Sequence, residues 1–143
     1  MEIALLVVAA ILAVVVGWHA FEFLRDRKLF RAAQVRNLRA RQARRLLDEQ
    51  SDIQLVDVRP GAGYRSGHLP GAVNVPYEGG TLDVAASRRL DPGKPVLIYC
   101  DGGYRSRLAL PAFEKAGFPE IFHLHRGYLS WRLGGGEIES DST

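Results

Sequence analysis

The residues best suited to chemistry lie together at Tyr99-Cys100-Asp101-Gly102-Gly103-Tyr104-Arg105-Ser106. Cys100 is the only cysteine of the 143 residues. The apolar run Pro95-Val96-Leu97-Ile98-Tyr99 before it reads as a buried strand, and residues 107–117 after it have helical phasing and a glycine stop. A nucleophile where a strand hands over to a helix sits at the positive end of the helix dipole. Gly102 and Gly103 let the intervening turn adopt positive φ, so that successive backbone N–H groups point inward at one atom. A thiolate at that focus is stabilised, and this makes Cys100 the expected nucleophile. Arg105 adds a guanidinium that either caps the loop carbonyls or holds an anionic substrate.

Other titratable residues carry less. His68, between Gly67 and Leu69-Pro70, reads as a structural hydrogen-bonder in a turn. His123 and His125 stand two apart on a short strand, but zinc needs further ligands and no cysteine is spare, so no metal site is expected.

Cys-x-x-Gly-x-Arg-Ser after an apolar strand resembles the active-site loop of single-domain rhodanese-like sulfurtransferases, with Cys100, Gly103, Arg105 and Ser106 on the pattern. Asp57-Val58-Arg59 followed by Gly67-His68-Leu69-Pro70-Gly71-Ala72-Val73-Asn74-Val75-Pro76 is similar to the family's second hallmark, and the resemblance covers about residues 38–133. It implies a substrate-binding loop of Asp101, Gly102, Gly103, Tyr104, Arg105 and Ser106 around the catalytic Cys100. Asp57 and Arg59 would support that loop. It also implies a double displacement with no cofactor. Cys100 attacks a small-molecule sulfur donor and becomes a persulfide, and a thiol, a protein acceptor or cyanide then removes the outer sulfur. Four residues separate Cys100 from Arg105. The related phosphatases resemble Cys-x5-Arg, a wider loop that fits a phosphoryl group, so phosphatase or arsenate reductase chemistry is disfavoured. The alternative is a membrane-tethered rhodanese-like binding or regulatory module without turnover, which usually arises with the cysteine lost. Two departures stand out: Gly63, where an acidic residue often precedes the aromatic, and Arg126, where the family's Leu-x-Gly-Gly has its first glycine. Asp101, directly after the nucleophile, should repel a dianionic donor such as thiosulfate.

The elements that must position these residues alternate between strand and helix, which implies an α/β fold with a parallel, rhodanese-like sheet flanked by helices. Strands are expected at 53–58, 72–75, 95–99 and 121–124. Helices are expected at 38–50, 81–90 (Thr81 as N-cap), 107–117 and 127–133. Ligand sites in such sheets lie at the carboxyl ends of strands, where Cys100 and Asp57-Arg59 both fall.

Upstream of the domain the composition changes. Residues 3–21 carry no ionised side chain when His19 is neutral, and as helix they span ~28 Å, near the ~30 Å of a bilayer core. Residues 1–24 therefore read as an uncleaved transmembrane anchor ahead of a basic helical stalk at 25–37. Residues 25–45 hold nine of the 19 basic residues and a single acidic one. The positive-inside bias puts the C-terminal domain in the cytoplasm of a single-pass, bacterial-type inner-membrane protein, with lipid contacts through residues 3–24 and the basic residues 25–45. That cluster also accounts for the sequence pI of about 9.3. Residues 46–143 are mildly acidic, which argues against a nucleic-acid partner. Residues 134–143, with Gly134-Gly135-Gly136 and acidic residues after them, are expected to be a disordered acidic tail.

Overall fold

A computed structural model describes residues 11–19 and 35–141. The chain divides into two compact units, residues 1–32 and 33–143. In the first, residues 11–19 are helical and their apolar side chains, Val14 and Trp18 among them, are exposed. The rest of the expected anchor lies outside the described residues. Among those residues, no helix is long and apolar enough to cross a membrane.

The second unit contains strands β1 (Val35–Leu38), β2 (Gln54–Asp57), β3 (Val73–Asn74), β4 (Tyr77–Glu78), β5 (Thr81–Leu82), β6 (Val96–Tyr99) and β7 (Ile121–Leu124). The helices are α1 (Ala40–Glu49), α2 (Gly61–Ser66), α3 (Val84–Ser87), α4 (Tyr104–Ala116) and α5 (Gly127–Leu133). Five strands form one sheet in the order β1-β7-β6-β2-β3, with every pair parallel, while β4 and β5 make a separate antiparallel hairpin. This is the α/β layer arrangement the alternation implied.

The central strands β6 and β7 are buried at every position, which explains why they read as apolar runs, with His123 in β7 the one polar residue. Alternation then sorts their side chains into two cores. Val96, Ile98 and Cys100 pack with Val56, Ala109 and Phe113, on the face that α4 covers. Leu97 and Tyr99 pack with Ala43, Phe122 and Trp131, under α1 and α5. Cys100 thus continues a core-facing row one residue past the end of the strand.

Three expectations are corrected. Residues 35–37 of the expected stalk, together with Leu38, form strand β1, and the first helix begins at Ala40. The strand pairs residue for residue with β7 from Val35↔Ile121 to Leu38↔Leu124, supplying partners for the polar backbone of that otherwise open edge. Residues 25–34 lie outside the described ones. The helix expected from Thr81 spans only Val84–Ser87, because Thr81 and Leu82 turn back to pair with β4. Its N-cap is Asp83, whose carboxylate accepts from Ala86 N–H at 2.9 Å. The tail is docked over residues 134–141. Glu139 and His68 exchange two backbone hydrogen bonds of 2.8 Å each, Asp141 N–H reaches Arg65 O at 3.1 Å, and Trp131 Nε1–H donates to Glu137 O at 2.7 Å. Composition suggested disorder because two of the partners, His68 and Arg65, are distant in sequence.

Candidate active site

Two glycines with no room for a side chain, Gly103 in the loop after β6 and Gly127 beneath it, shape the site, whereas Gly102 stands in open space. Gly103, at φ 95°, is the N-cap of α4, and a Cβ there would collide with the His125 carbonyl. Gly127, at φ 57°, lies so close beneath the loop that a Cβ would meet the carbonyl oxygens of Cys100 and Asp101. Those two carbonyls accept from the first amides of α5, Tyr128 N–H at 2.7 Å and Leu129 N–H at 3.0 Å. Helix α5 therefore holds the loop from below with its unsatisfied N-terminal donors. Of the loop's own amides, Gly103 N–H faces the sulfur.

Cys100 is 3 % exposed. Its Sγ accepts from Gly103 N–H at 3.2 Å and lies 3.3 Å from Ser106 Oγ, in the first turn of α4. Ser106 Oγ is in turn 2.8 Å from His123 Nε2 on β7, and His123 Nδ1 is 2.7 Å from Asn37 Oδ1 on β1. Burial, reinforced by the charges of His125 and Arg107, holds the His123 pKa below its ordinary value, so the imidazole is neutral at neutral pH.

A buried ion pair supports the loop from the neighbouring strand. Asp57 is fully buried at the end of β2, and Arg59 is 2 % exposed. Arg59 Nε lies 3.1 and 3.0 Å from the two Asp57 oxygens, and Nη2 is 2.7 Å from Oδ2. The same guanidinium donates to Gly67 O at 2.6 Å and, through Nη1, to Asp101 Oδ1 at 3.1 Å. It also lies over the Tyr128 ring, 4.3 Å from the centroid. Burial alone would lower the Arg59 pKa, but the hydrogen bonds and charge of Asp57 outweigh it, so the net shift is upward and the guanidinium stays charged.

Comparison with known proteins agrees with this geometry. The rhodanese-like domain profile matches residues 39–133, well over half of the chain. The chain belongs to the rhodanese-like family. It is 32% identical over 112 residues to thiosulfate sulfurtransferase 18 of Arabidopsis thaliana, covering 71% of this chain and 81% of that protein. It is 36% identical over 91 residues to an HTH-type transcriptional regulator of Mycobacterium tuberculosis, covering 61% of this chain but only 38% of the regulator. Among solved structures, a thiosulfate sulfurtransferase from Pseudomonas aeruginosa superposes with a TM-score of 0.63 at 28% identity, over 76% of this chain and 21% of that one. Relatives named as sulfurtransferases place sulfur transfer at the level of the family.

Within this rhodanese-like domain, the residues singled out from sequence have distinct places. Cys100, Gly103 and Ser106 meet at the sulfur, while Asp57 and Arg59 buttress the loop. Arg105 does not cap the loop carbonyls, since α5 does so. It instead lines a cleft of about 380 Å³ with Tyr77, Glu78, Tyr104 and Leu108. Among the described residues it has no hydrogen-bond or ion-pair partner, so its donors are available to a ligand. Tyr104 is 72% exposed at the rim of that cleft, and Gly102 is exposed at the loop tip. Asp101 is also exposed but is tied to Arg59. His68 is structural, as its place in a turn suggested: Nδ1 lies 2.9 Å from Tyr64 O, and its ring stacks on that of Tyr64. Sequence reasoning missed the functional placement of His123 and Asn37. The available signal was a polar residue inside an otherwise apolar strand, Ile121-Phe122-His123-Leu124. A buried histidine must find partners, and here one of them is the serine of the loop.

Proposed function

We propose that the protein is a sulfurtransferase that moves a sulfane sulfur from a donor to a thiol or cyanide acceptor through a persulfide on Cys100. The observation that carries this reading is the Cys100 Sγ at the focus of the α4 N-terminus, 3.2 Å from Gly103 N and 3.3 Å from Ser106 Oγ. In the first step the thiolate forms an S–S bond to the donor's outer sulfur, and the donor's remainder leaves with the electron pair of the broken bond. In the second, the acceptor bonds to that outer sulfur and Cys100 departs as thiolate. Donor groups that stabilise the anionic sulfur do so without reorganising. The test is mass spectrometry after incubation with thiosulfate or a small persulfide. An adduct of about 32 Da that is absent from Cys100→Ser and is discharged by cyanide or dithiothreitol supports the proposal, because a sulfinic acid of nearly the same mass resists both. No adduct from any donor, with Cys100 still reactive to alkylation, would leave a binding module as the better reading.

The anchor belongs to the same proposal. Residues 3–24 would tether the domain to a bilayer, and the basic residues 25–45 would keep it on the cytoplasmic side. Support comes from the apolar composition of that run and from the helix at 11–19 with its exposed aliphatic side chains. Protease added to intact spheroplasts should leave the domain uncut. Digestion from outside overturns the topology.

A further inference from the structure

Buried polar contacts lead away from the sulfur in an unbroken series. Cys100, Ser106 and His123 are each at most 3 % exposed, and consecutive polar atoms are 3.3, 2.8 and 2.7 Å apart out to Asn37. Asn37 lies on the edge strand β1, directly opposite His123 in the strand register, and is exposed. A chain of hydrogen bonds thus runs from the buried thiol through one helix and two strands to the surface.

We propose that Ser106, His123 and Asn37 form a relay that receives the thiol proton of Cys100 when the sulfur becomes a nucleophile, with His123 and Asn37 as positioning residues acting through Ser106. This rests on the sulfurtransferase reading of Cys100. Hydrogen-bond polarity sets how it works. The Ser106 hydroxyl has one hydrogen and can serve the sulfur or the imidazole, not both. The Asn37 amide presents its oxygen to His123, so Nδ1 carries hydrogen and Nε2 of the neutral ring can accept. In the resting state the thiol S–H points to Ser106 Oγ, and the Ser106 O–H points to Nε2. Transfer moves the thiol proton to Oγ and the hydroxyl proton to Nε2, giving a thiolate and an imidazolium with no net change in atoms or charge. Both hydrogen bonds then reverse, and Ser106 O–H donates to the anionic sulfur. Nδ1–H donates to Asn37 throughout.

The groups facing His123 suit a transient rather than a permanent cation. Arg107 from α4 and His125 beyond the end of β7 both oppose its charge, Asn37 from β1 is neutral, and Cys100 from β6 supplies the negative charge only once ionised. The imidazole therefore holds a proton best while the sulfur is an anion. When an acceptor removes the outer sulfur, the departing Cys100 thiolate takes that proton back by the same route.

The test uses the full chain and reads the thiol without any sulfur transfer, so it is independent of turnover. Cys100 is the only cysteine, and its alkylation by iodoacetamide reports it alone. His123→Gln should move the pH midpoint of alkylation upward by about one unit, slowing the reaction about tenfold near neutrality, while the alkaline plateau stays within about twofold. Asn37→Leu should shift it the same way by less, and Asn37→Asp, which keeps the acceptor, should restore the lower midpoint. A structural role would instead slow alkylation equally at all pH values. Unmoved midpoints in folded His123→Gln and Asn37→Leu would overturn the relay. If His123→Gln does not fold, the Asn37 pair decides alone.

Discussion

Replacing Asp57 by Asn tests whether the Asp57–Arg59 pair is the support on which the loop depends. The change keeps the shape and removes the charge that three short contacts direct at Arg59. What remains for the guanidinium is one neutral amide oxygen at position 57, Gly67 O, the Tyr128 ring face and Asp101, whose side chain is 70% exposed and screened by water. A buried cation left in that condition costs about 3–5 kcal/mol. Domains of this size have about 5–15 kcal/mol in all, so a fifth or more of the stability is at stake. At about 4 °C per kcal/mol, Tm should fall by about 12–20 °C in a melt followed by circular dichroism. The double variant Asp57→Asn/Arg59→Met removes the orphaned charge and should recover much of that loss, because buried pairs replaced as a unit are often nearly neutral. The coupling between the two sites should reach at least about 2 kcal/mol. A loss below about 1 kcal/mol in Asp57→Asn, or strict additivity in the double variant, would refute the argument.

Three further outcomes follow from the geometry. Asp101→Asn should lower the KM for thiosulfate about two- to tenfold at low salt, and the gain should shrink as salt rises. The exposed carboxylate repels the dianion through screened solvent, and Arg59 is already committed to Asp57. An unchanged KM at low salt would mean that Asp101 does not set donor preference. Truncation after Leu133 removes the His68–Glu139 exchange and the acceptor of Trp131 Nε1–H, and should lower Tm by several degrees in the same melt, whereas a disordered tail would leave it unchanged. His123 is held neutral with its pKa below the ordinary 6.5, so the unfolded chain binds the additional proton as pH falls below that value. Urea titrations should therefore show stability dropping with acid below about pH 6.5, and His123→Gln should flatten that slope.

The linear order of residues was enough for the chemistry of the loop and the layer of the fold. Cys100, Gly103 and Ser106 lie within seven consecutive residues, so the strand before them and the helix after them can be read from local periodicity. The same holds for β6 and β7, whose full burial leaves apolar runs, broken only by His123 in β7. The strand β1 was not legible, because Val35-Arg36-Asn37-Leu38 has no strand pattern of its own and becomes extended by pairing with β7, some eighty residues away. The docked tail was hidden for the same reason, its partners His68 and Arg65 lying far upstream. Arg105 shows the limit most plainly. Its presence follows from the motif, but its role depends on α5, whose amides reach the loop carbonyls first and leave the guanidinium facing the cleft. The relay to Asn37 belongs wholly to tertiary structure, since it needs β1, β7 and α4 side by side. Local propensity and spacing act over a few residues, whereas the partners of a buried polar group are chosen by whichever segments the sheet brings within three ångströms or so.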